Sequence, residues 1–516
     1  MKAVKSKTPL ILLGFLLVLI YFYFFAVKRG GDDENIPVFR KAVYLIPEKI
    51  DPIYFLSTAE HSISNLIFEG LFSVNDLLEI EPCLVQEWRL EGDGTKYWFK
   101  LKKDVLFHDG IPLTSMLVKQ SLERLLSKDS PVQKTYNRIE NIKIIDTSEL
   151  EIKLKSPSPS FISLLAAPFA KITKPAQNLA YPIGTGPFVL KEVINSGNHQ
   201  KILRLQRFEK YRQALPKIEE LQLWELSEEQ AINLAQAGFI HDTTNWISKS
   251  DLCSKEQACR KIEAPSAVTW LLSFNTSKHP LNNINLRKCL TRNFDQKYFI
   301  QNFVPDHVPA QAYLPRTLPG FLENLENHFD GDSTAECSDF RKVKLVLDYA
   351  VDLDKGKEMC QFMKGNFQKG NVEILCNGIK FDRLLQRIIT GKADISFLAM
   401  TLDMPDPEYF VNVFESSSPF NMSNYHSKEI DRLLLDARSA PNKQLRATLY
   451  QQINKILYDN YVTLNISYPP HISYEHKCVA GLHIGIMGDS YINYTKVHLD
   501  RDCKNKNDFT KKDSQL

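Results

Sequence analysis

One apolar stretch, and only one, is long enough to cross a bilayer: Pro9 to Val27 (PLILLGFLLVLIYFYFFAV). At helical rise it reaches about 28 Å, close to the ~30 Å hydrocarbon core. Lys2, Lys5 and Lys7 precede it, aromatic residues from Tyr21 to Phe25 close it, and Lys28-Arg29 and then Asp32-Asp33-Glu34 follow. A signal-peptide core is shorter, about 7–15 residues, and ends at a small-residue cleavage site. No clean small-x-small site stands here, and the first cysteine is Cys83, so a lipobox is missing. The run reads as an uncleaved N-terminal anchor, with a cleaved signal peptide as the alternative. The positive-inside rule puts the bulk of the chain outside the cytoplasm. Everything after the run must fold in water.

Composition then narrows the class. Of 516 residues, 43% are hydrophobic and 24% charged, which excludes a disordered or fibrous chain. Lys plus Arg number 64 against 61 Asp plus Glu, a net +3, too small a surplus on so long a chain to call for nucleic acid. The nine cysteines are an odd number, so at least one thiol stays unpaired. Cys253 and Cys259 are near enough to close a small disulfide loop, and two unrelated thiols fit equally well. No C-x-x-C occurs and no histidine stands at zinc spacing beside a cysteine pair, so neither a metal nor a cofactor is expected.

From about Pro37 the periodicity is mixed α/β. Ala42 to Ile46 reads as a short strand, and Ser62 to Gly70 carries Ile63, Leu66 and Ile67 at helical spacing. Glu91-Gly92-Asp93-Gly94 between Trp88–Leu90 and Lys96–Leu101 is a hairpin signal. After the turn His108-Asp109-Gly110, Thr114 opens a helix with Leu117, Val118, Ser121, Leu122 and Leu125 on one face. Strand patterns recur at 149–154, 188–193, 202–208 and 220–225, then at 343–347, 372–375 and 393–398. Helical patterns recur at 230–237, 286–293, 381–389, 430–437 and 444–459. Such alternation predicts sheets with crossover helices. No repeat and no long linker divides the chain, so its lobes pack together and are joined by strands.

Four stretches carry a resemblance. The first is Ile50-Asp51-Pro52, Phe68-Glu69-Gly70-Leu71, Glu81-Pro82-Cys83-Leu84, Trp88, Asp93-Gly94 and Phe107 to Thr114 (FHDGIPLT). The second is Pro182-Ile183-Gly184-Thr185-Gly186-Pro187-Phe188. The third is Ser273-Phe274-Asn275-Thr276, Leu286 to Leu290, Asp295 and Leu314-Pro315. The fourth is Ala393-Asp394, Asp403-Met404-Pro405-Asp406-Pro407, Asp431, Arg446 and Tyr450. Each is weak alone, but in this order, over about residues 42 to 480, the chain resembles the family-5 extracytoplasmic solute-binding proteins of ABC importers, of the oligopeptide- and dipeptide-binding type.

The resemblance implies a two-lobed α/β fold of the class II periplasmic-binding-protein type, with an extra subdomain inserted in lobe I. The expected division is 1–35 signal or anchor, 36–60 lobe I, 61–179 inserted subdomain, 180–268 lobe I again, 269–464 lobe II, and 465–516 the return to lobe I and tail. It also implies an oligopeptide held extended between the lobes, its backbone paired with protein strands. The match assigns the carboxylate for the peptide's ammonium to Asp403 and leaves Asp406 a structural turn residue. It assigns backbone pairing to Ala399, Met400 and Thr401 in lobe II and to Leu56, Ser57 and Thr58 opposite. A glycine-tryptophan pair common in the family is replaced by Ala399-Met400, which exchanges a flat aromatic wall for an adaptable side chain. Phe274, Asn275 and Tyr468 are expected at or near the hinge, as is the strand after Gly184-Thr185-Gly186. The resemblance yields no counterpart for the basic group that takes a peptide's C-terminus; Lys355, Arg383 and Arg387 are candidates by position only, and each reads more simply as a solvated surface charge.

No G-x-S-x-G, H-E-x-x-H or G-x-x-x-x-G-K-[ST] is present, and Val189 stands where a dinucleotide fingerprint begun at Gly184 needs its third glycine. His108 reads as a turn residue. The chain is thus expected to be a monomeric binding protein and not an enzyme, delivering its guest to an inner-membrane permease. The alternatives are another guest in the same fold (a nickel chelate, haem, glutathione or cell-wall peptide) or, in another class, an anchored hydrolase or adhesin.

Overall fold

The computed structural model describes residues 38–500, apart from 56–57, 159, 176–180, 196–200, 244–252, 254–257, 330–339, 341–342, 352, 369–371, 403, 405, 419 and 441. Among the described residues three sheets have four or more strands. The first runs in the order Val38–Val43, Glu220–Glu225, Lys201–Arg207, Phe188–Asn195, parallel at the first pair and antiparallel elsewhere. Alternate residues such as Phe39, Leu221, Leu223, Leu203 and Leu205 face one core, which Ile63, Leu66 and Ile67 of the helix Thr58–Ile67 complete.

The opening strand begins four residues earlier than the apolar pattern predicts, because Lys41 is buried within it. Its ammonium lies 2.7 Å from Asp242 and 2.9 Å from Asp489, so the charge is compensated by residues some 200 and 450 positions away. The helix predicted to run to Gly70 stops at Ile67, and Glu69–Gly70 pairs instead with Lys171–Ile172. There Glu69 takes both terminal nitrogens of Arg212, the Thr185 hydroxyl and the Tyr211 hydroxyl. Gly184 and Gly186 pass directly over the end of that helix: a Cβ on either would lie 2.0 or 2.6 Å from Ile67 backbone atoms. Close approach, not phosphate binding, is what these glycines serve.

The inserted subdomain is a four-stranded antiparallel sheet in the order Val85–Glu91, Lys96–Leu101, Glu149–Leu154, Ile139–Ile144. Positive φ at Gly92 and Gly94 makes the predicted hairpin, and Asp93 accepts from the Thr95 amide. The Thr114 hydroxyl accepts from the Leu117 amide and caps the helix Ser115–Leu126. Val118, Leu122 and Leu125 of that helix join Tyr97, Phe99, Leu150 and Ile152 in a separate core.

The second lobe is built on six strands, in the order Val308–Pro309, Thr463–Tyr468, Val268–Phe274, Ile395–Thr401, Val343–Ala350, Val372–Ile379. Both faces are covered. Leu271 packs with Ile430, Leu434 and Ile453 of the helices Lys428–Ser439 and Lys443–Asp459, while its neighbour Leu272 packs with Phe299, Met363 and Phe367 on the other side. Cys253–Cys259 and Cys360–Cys376 are disulfides, Cys289 and Cys478 are also disulfide-bonded, and Cys83 is buried and free. Among the described residues no helix is long and apolar enough to cross a membrane, and Pro9–Val27 lies outside them.

Two chain segments join the lobes. The antiparallel pair Cys259–Ala264 and His471–His476 extends the first sheet through single bridges at Asp242, and continues directly into the second-sheet pair Val268–Phe274 and Thr463–Tyr468. The crossings are therefore residues 265–267 and 469–470, side by side, with the Ser266 hydroxyl donating to the Pro469 carbonyl. Tyr468 stands at the crossing, its hydroxyl donating to the Ala312 carbonyl at 2.7 Å. Phe274 and Asn275 lie at the opposite end of their strand: Phe274 is core, and the Asn275 amide donates to the Gly391 and Ala393 carbonyls. Phe188–Asn195, expected near the hinge, is instead the far edge of the first sheet.

Beside the crossing, Glu475 is buried, with one oxygen 3.3 Å from Arg260 and the other without a hydrogen bond. Burial, then the charge of Asp242, pushes its carboxyl up to about 7. The native state thus keeps a proton that the unfolded chain has released, and stability falls as pH rises from the ordinary carboxyl range toward 7. Glu475→Gln is expected to flatten that fall in urea-unfolding midpoints measured between pH 5 and 8; an unchanged slope would remove Glu475 as its source.

Candidate functional site

The strand Ile395–Thr401 lies antiparallel to Val268–Phe274, with Thr401, Met400 and Ala399 opposite Val268, Thr269 and Trp270. These three residues are thus next to the crossing. On its other side the strand pairs with Val343–Ala350 only at Ile395 and Ser396. Beyond Ser396 the two strands diverge, so among the described residues the second backbone edge of Ala399–Thr401 has no strand partner. Ala399 is exposed, Met400 and Thr401 are half-buried, and the Leu402 amide returns to the Ala267 carbonyl at 3.1 Å. An unpaired edge of this kind is what an extended peptide backbone can join.

The other residues expected at the site are placed less fully. Asp403, Leu56 and Ser57 lie outside the described residues, and Thr58 is the first residue of the helix Thr58–Ile67. Arg387 is committed elsewhere: its Nε donates to Asp348 at 2.8 Å within the second lobe. Lys355 and Arg383 are exposed.

Asp406 is buried, as its motif position suggests for a structural residue, and it does more than make a turn. Its two oxygens take the Arg446 guanidinium at 2.8 and 3.2 Å, and one also accepts from the Glu408 amide. The other accepts from the Ser163 hydroxyl at 3.1 Å, a contact between the second lobe and the inserted subdomain. Met404 extends the same bridge by packing into the subdomain's core. Arg438 holds Glu408 and Glu415 from beneath. The segment that follows the open strand edge is therefore clamped by arginines from two helices. Pairing with Asp406 and Glu408 holds the Arg446 guanidinium firmly charged against the burial that opposes it. Ser163 was not legible as a site residue, because its partner lies 243 positions away.

His108 is likewise structural. Its amide donates to the Gly184 carbonyl, its Nε2 lies 3.0 Å from the Gly186 carbonyl, and burial lowers its pKa to about 4. Among the described residues no group of three or more His, Cys, Asp and Glu could hold a metal ion. Arg446→Met would leave Asp406 buried without its counter-charge, at a cost of about 3–5 kcal/mol. Denaturant unfolding should report that loss, and a change below about 1 kcal/mol would show the clamp to be dispensable.

Comparison with known proteins agrees with this architecture. A 502-residue alignment to the dipeptide-binding protein of Escherichia coli (strain K12) is 21% identical and covers 87% of this chain and 93% of that protein. Among solved structures, NikA from Brucella suis in complex with Fe(III)-EDTA superposes with a TM-score of 0.79 at 18% identity, over 90% of this chain and 100% of that one. DppA from Helicobacter pylori in complex with peptide STSA superposes at 0.76 and 18% identity, over 90% and 98%. The family model for bacterial extracellular solute-binding proteins, family 5, matches residues 79–422, well over half of the sequence. The chain belongs to the family-5 bacterial extracellular solute-binding proteins.

Proposed function

We propose that this protein is the substrate-binding component of an ABC importer, which takes short peptides between its lobes and passes them unchanged to a permease in the inner membrane. The observation that carries this reading is the open backbone edge of Ala399–Thr401, set beside the two adjacent, antiparallel crossings that would serve as the hinge. A peptide laid along that edge gains main-chain hydrogen bonds that do not depend on its sequence. Asp403, two residues beyond the edge, receives the peptide's ammonium as a charge-assisted pair, and Leu56, Ser57 and Thr58 supply the facing contacts. Closure is a population shift toward the form in which both lobes touch the guest. Pro9–Val27 anchors the monomeric chain at the outer face of the inner membrane.

A second guest class in the same place is favoured by one observation. Met400 stands where a tryptophan is common in the family, and NikA from Brucella suis, which shares this fold, is solved in complex with Fe(III)-EDTA. Mass spectrometry of whatever stays bound through purification separates the two readings.

Short peptides should raise the thermal midpoint of the purified protein, by about 2.7 kcal/mol of added stability when present at a hundredfold excess over Kd. Asp403→Ala is expected to remove most of that gain for peptides with free N-termini. N-acetylated peptides should bind the wild type as weakly as free peptides bind the variant; equal binding of acetylated and free peptides to the wild type would refute the role of Asp403.

A further inference from the structure

An ion pair spans the crossing between the lobes. Lys261 lies on Cys259–Ala264, before the crossing, opposite Tyr474 of His471–His476, so it moves with the first lobe. Asp306 moves with the second. It follows the helix Gln296–Phe303, whose Phe299 and Ile300 are in that lobe's core, and it precedes Val308–Pro309, an edge strand of that lobe's sheet. The Lys261 Nζ donates to Asp306 Oδ1 at 2.8 Å. Other contacts sit on the crossing itself: the Thr317 hydroxyl donates to the Ser266 carbonyl, and the Ala267 amide and His471 Nε2 lie against the Ile486 carbonyl.

Distance from the pivot separates the two kinds of contact. Lys261 stands about 13 Å along its strand from residue 265, where the crossing begins. A rotation of about 15° between rigid bodies moves a group at that radius by about 3 Å, which takes a contact at hydrogen-bond length well out of reach. Contacts on the crossing have almost no lever arm and survive the same rotation. Glu263, on the same strand and the same face, lies 2.6 Å from the Lys261 Nζ and travels with it. When the lobes part, the ammonium therefore loses Asp306 but keeps a carboxylate, and the spanning pair can re-form. The side chains of that pair are 23% and 24% exposed, so its strength is modest and falls with salt. It is made here in an arrangement where the lobes touch, with the Ser163 hydroxyl on Asp406 and Met404 in the subdomain's core.

We infer that Lys261–Asp306 is a latch across the pivot, made when the lobes touch and broken when they part, which biases the protein toward the touching form. Because charge alone carries it, the balance between the two forms depends on ionic strength. The latch itself does not need a guest. Only its effect on affinity rests on the proposed peptide reading, since a guest enclosed by touching lobes binds in proportion to the fraction already in that form.

Hydrogen exchange of the full chain without guest reads the latch at Phe161–Leu165 and Glu408–Val411, the segments beside the Ser163–Asp406 contact, whose exchange follows the population of the parted form. Lys261→Met and Asp306→Asn should each speed that exchange about threefold at low salt, and the double variant no more than either alone. Lys261→Arg should stay near the wild type. Raising salt to about 0.5 M should bring the wild type up to the variants and leave the variants where they were. The strand Lys201–Arg207, remote from the crossing, should not change in any of them. Additive effects of the two single substitutions, a wild type indifferent to salt, or an equal rise at Lys201–Arg207 overturns the latch. In isothermal titration the single variants should bind tri-alanine about threefold more weakly than the wild type. Failure of the wild type to bind tri-alanine counts against the peptide reading and leaves the exchange result to decide the latch.

Discussion

The arrangement depends on two strands that leave one sheet and enter another without parting. Because Cys259–Ala264 stays paired with His471–His476, and Val268–Phe274 with Thr463–Tyr468, the lobes are joined by a narrow double ribbon whose unpaired stretch is only residues 265–267 and 469–470. Backbone hydrogen bonds on either side fix where bending can occur. The same ribbon places Val268 and Thr269 opposite Thr401 and Met400, so the open strand edge is next to the pivot.

Buried charges do the sorting that apolar patterning cannot. Lys41 binds the opening strand to Asp242 and Asp489, Glu69 gathers Arg212, Thr185 and Tyr211, and Asp406 joins Arg446 to the subdomain's Ser163. Each cluster draws on segments far apart in sequence. Desolvating such ions costs several kcal/mol each, so pairs like these add little net stability, yet removing one partner is severe. Their effect here is to specify which segments meet, and two of the three lie at the borders of the inserted subdomain.

The junction of subdomain and second lobe is accordingly a scaffold. Arg446 on Asp406, and Arg438 on Glu408 and Glu415, hold the turn in place.

Much of the local structure is legible in the sequence because its causes are local. Gly92 and Gly94 make the hairpin through their positive φ, Thr114 caps its helix through its own hydroxyl, and the period of the apolar residues yields Glu149–Leu154, Glu220–Glu225 and Phe381–Ile389 to the residue. The ordered motifs likewise point to the family, and with it to a two-lobed binding fold. What only the tertiary structure decided is where lone charged and hydroxyl residues go. Val38–Val43 is a strand despite its lysine, the helix ends before Glu69, and Phe188–Asn195 runs at a sheet edge away from the pivot, because the groups that settle each case lie far away in sequence. Periodicity encodes which face of an element is buried; it carries no information about which distant partner that face will meet.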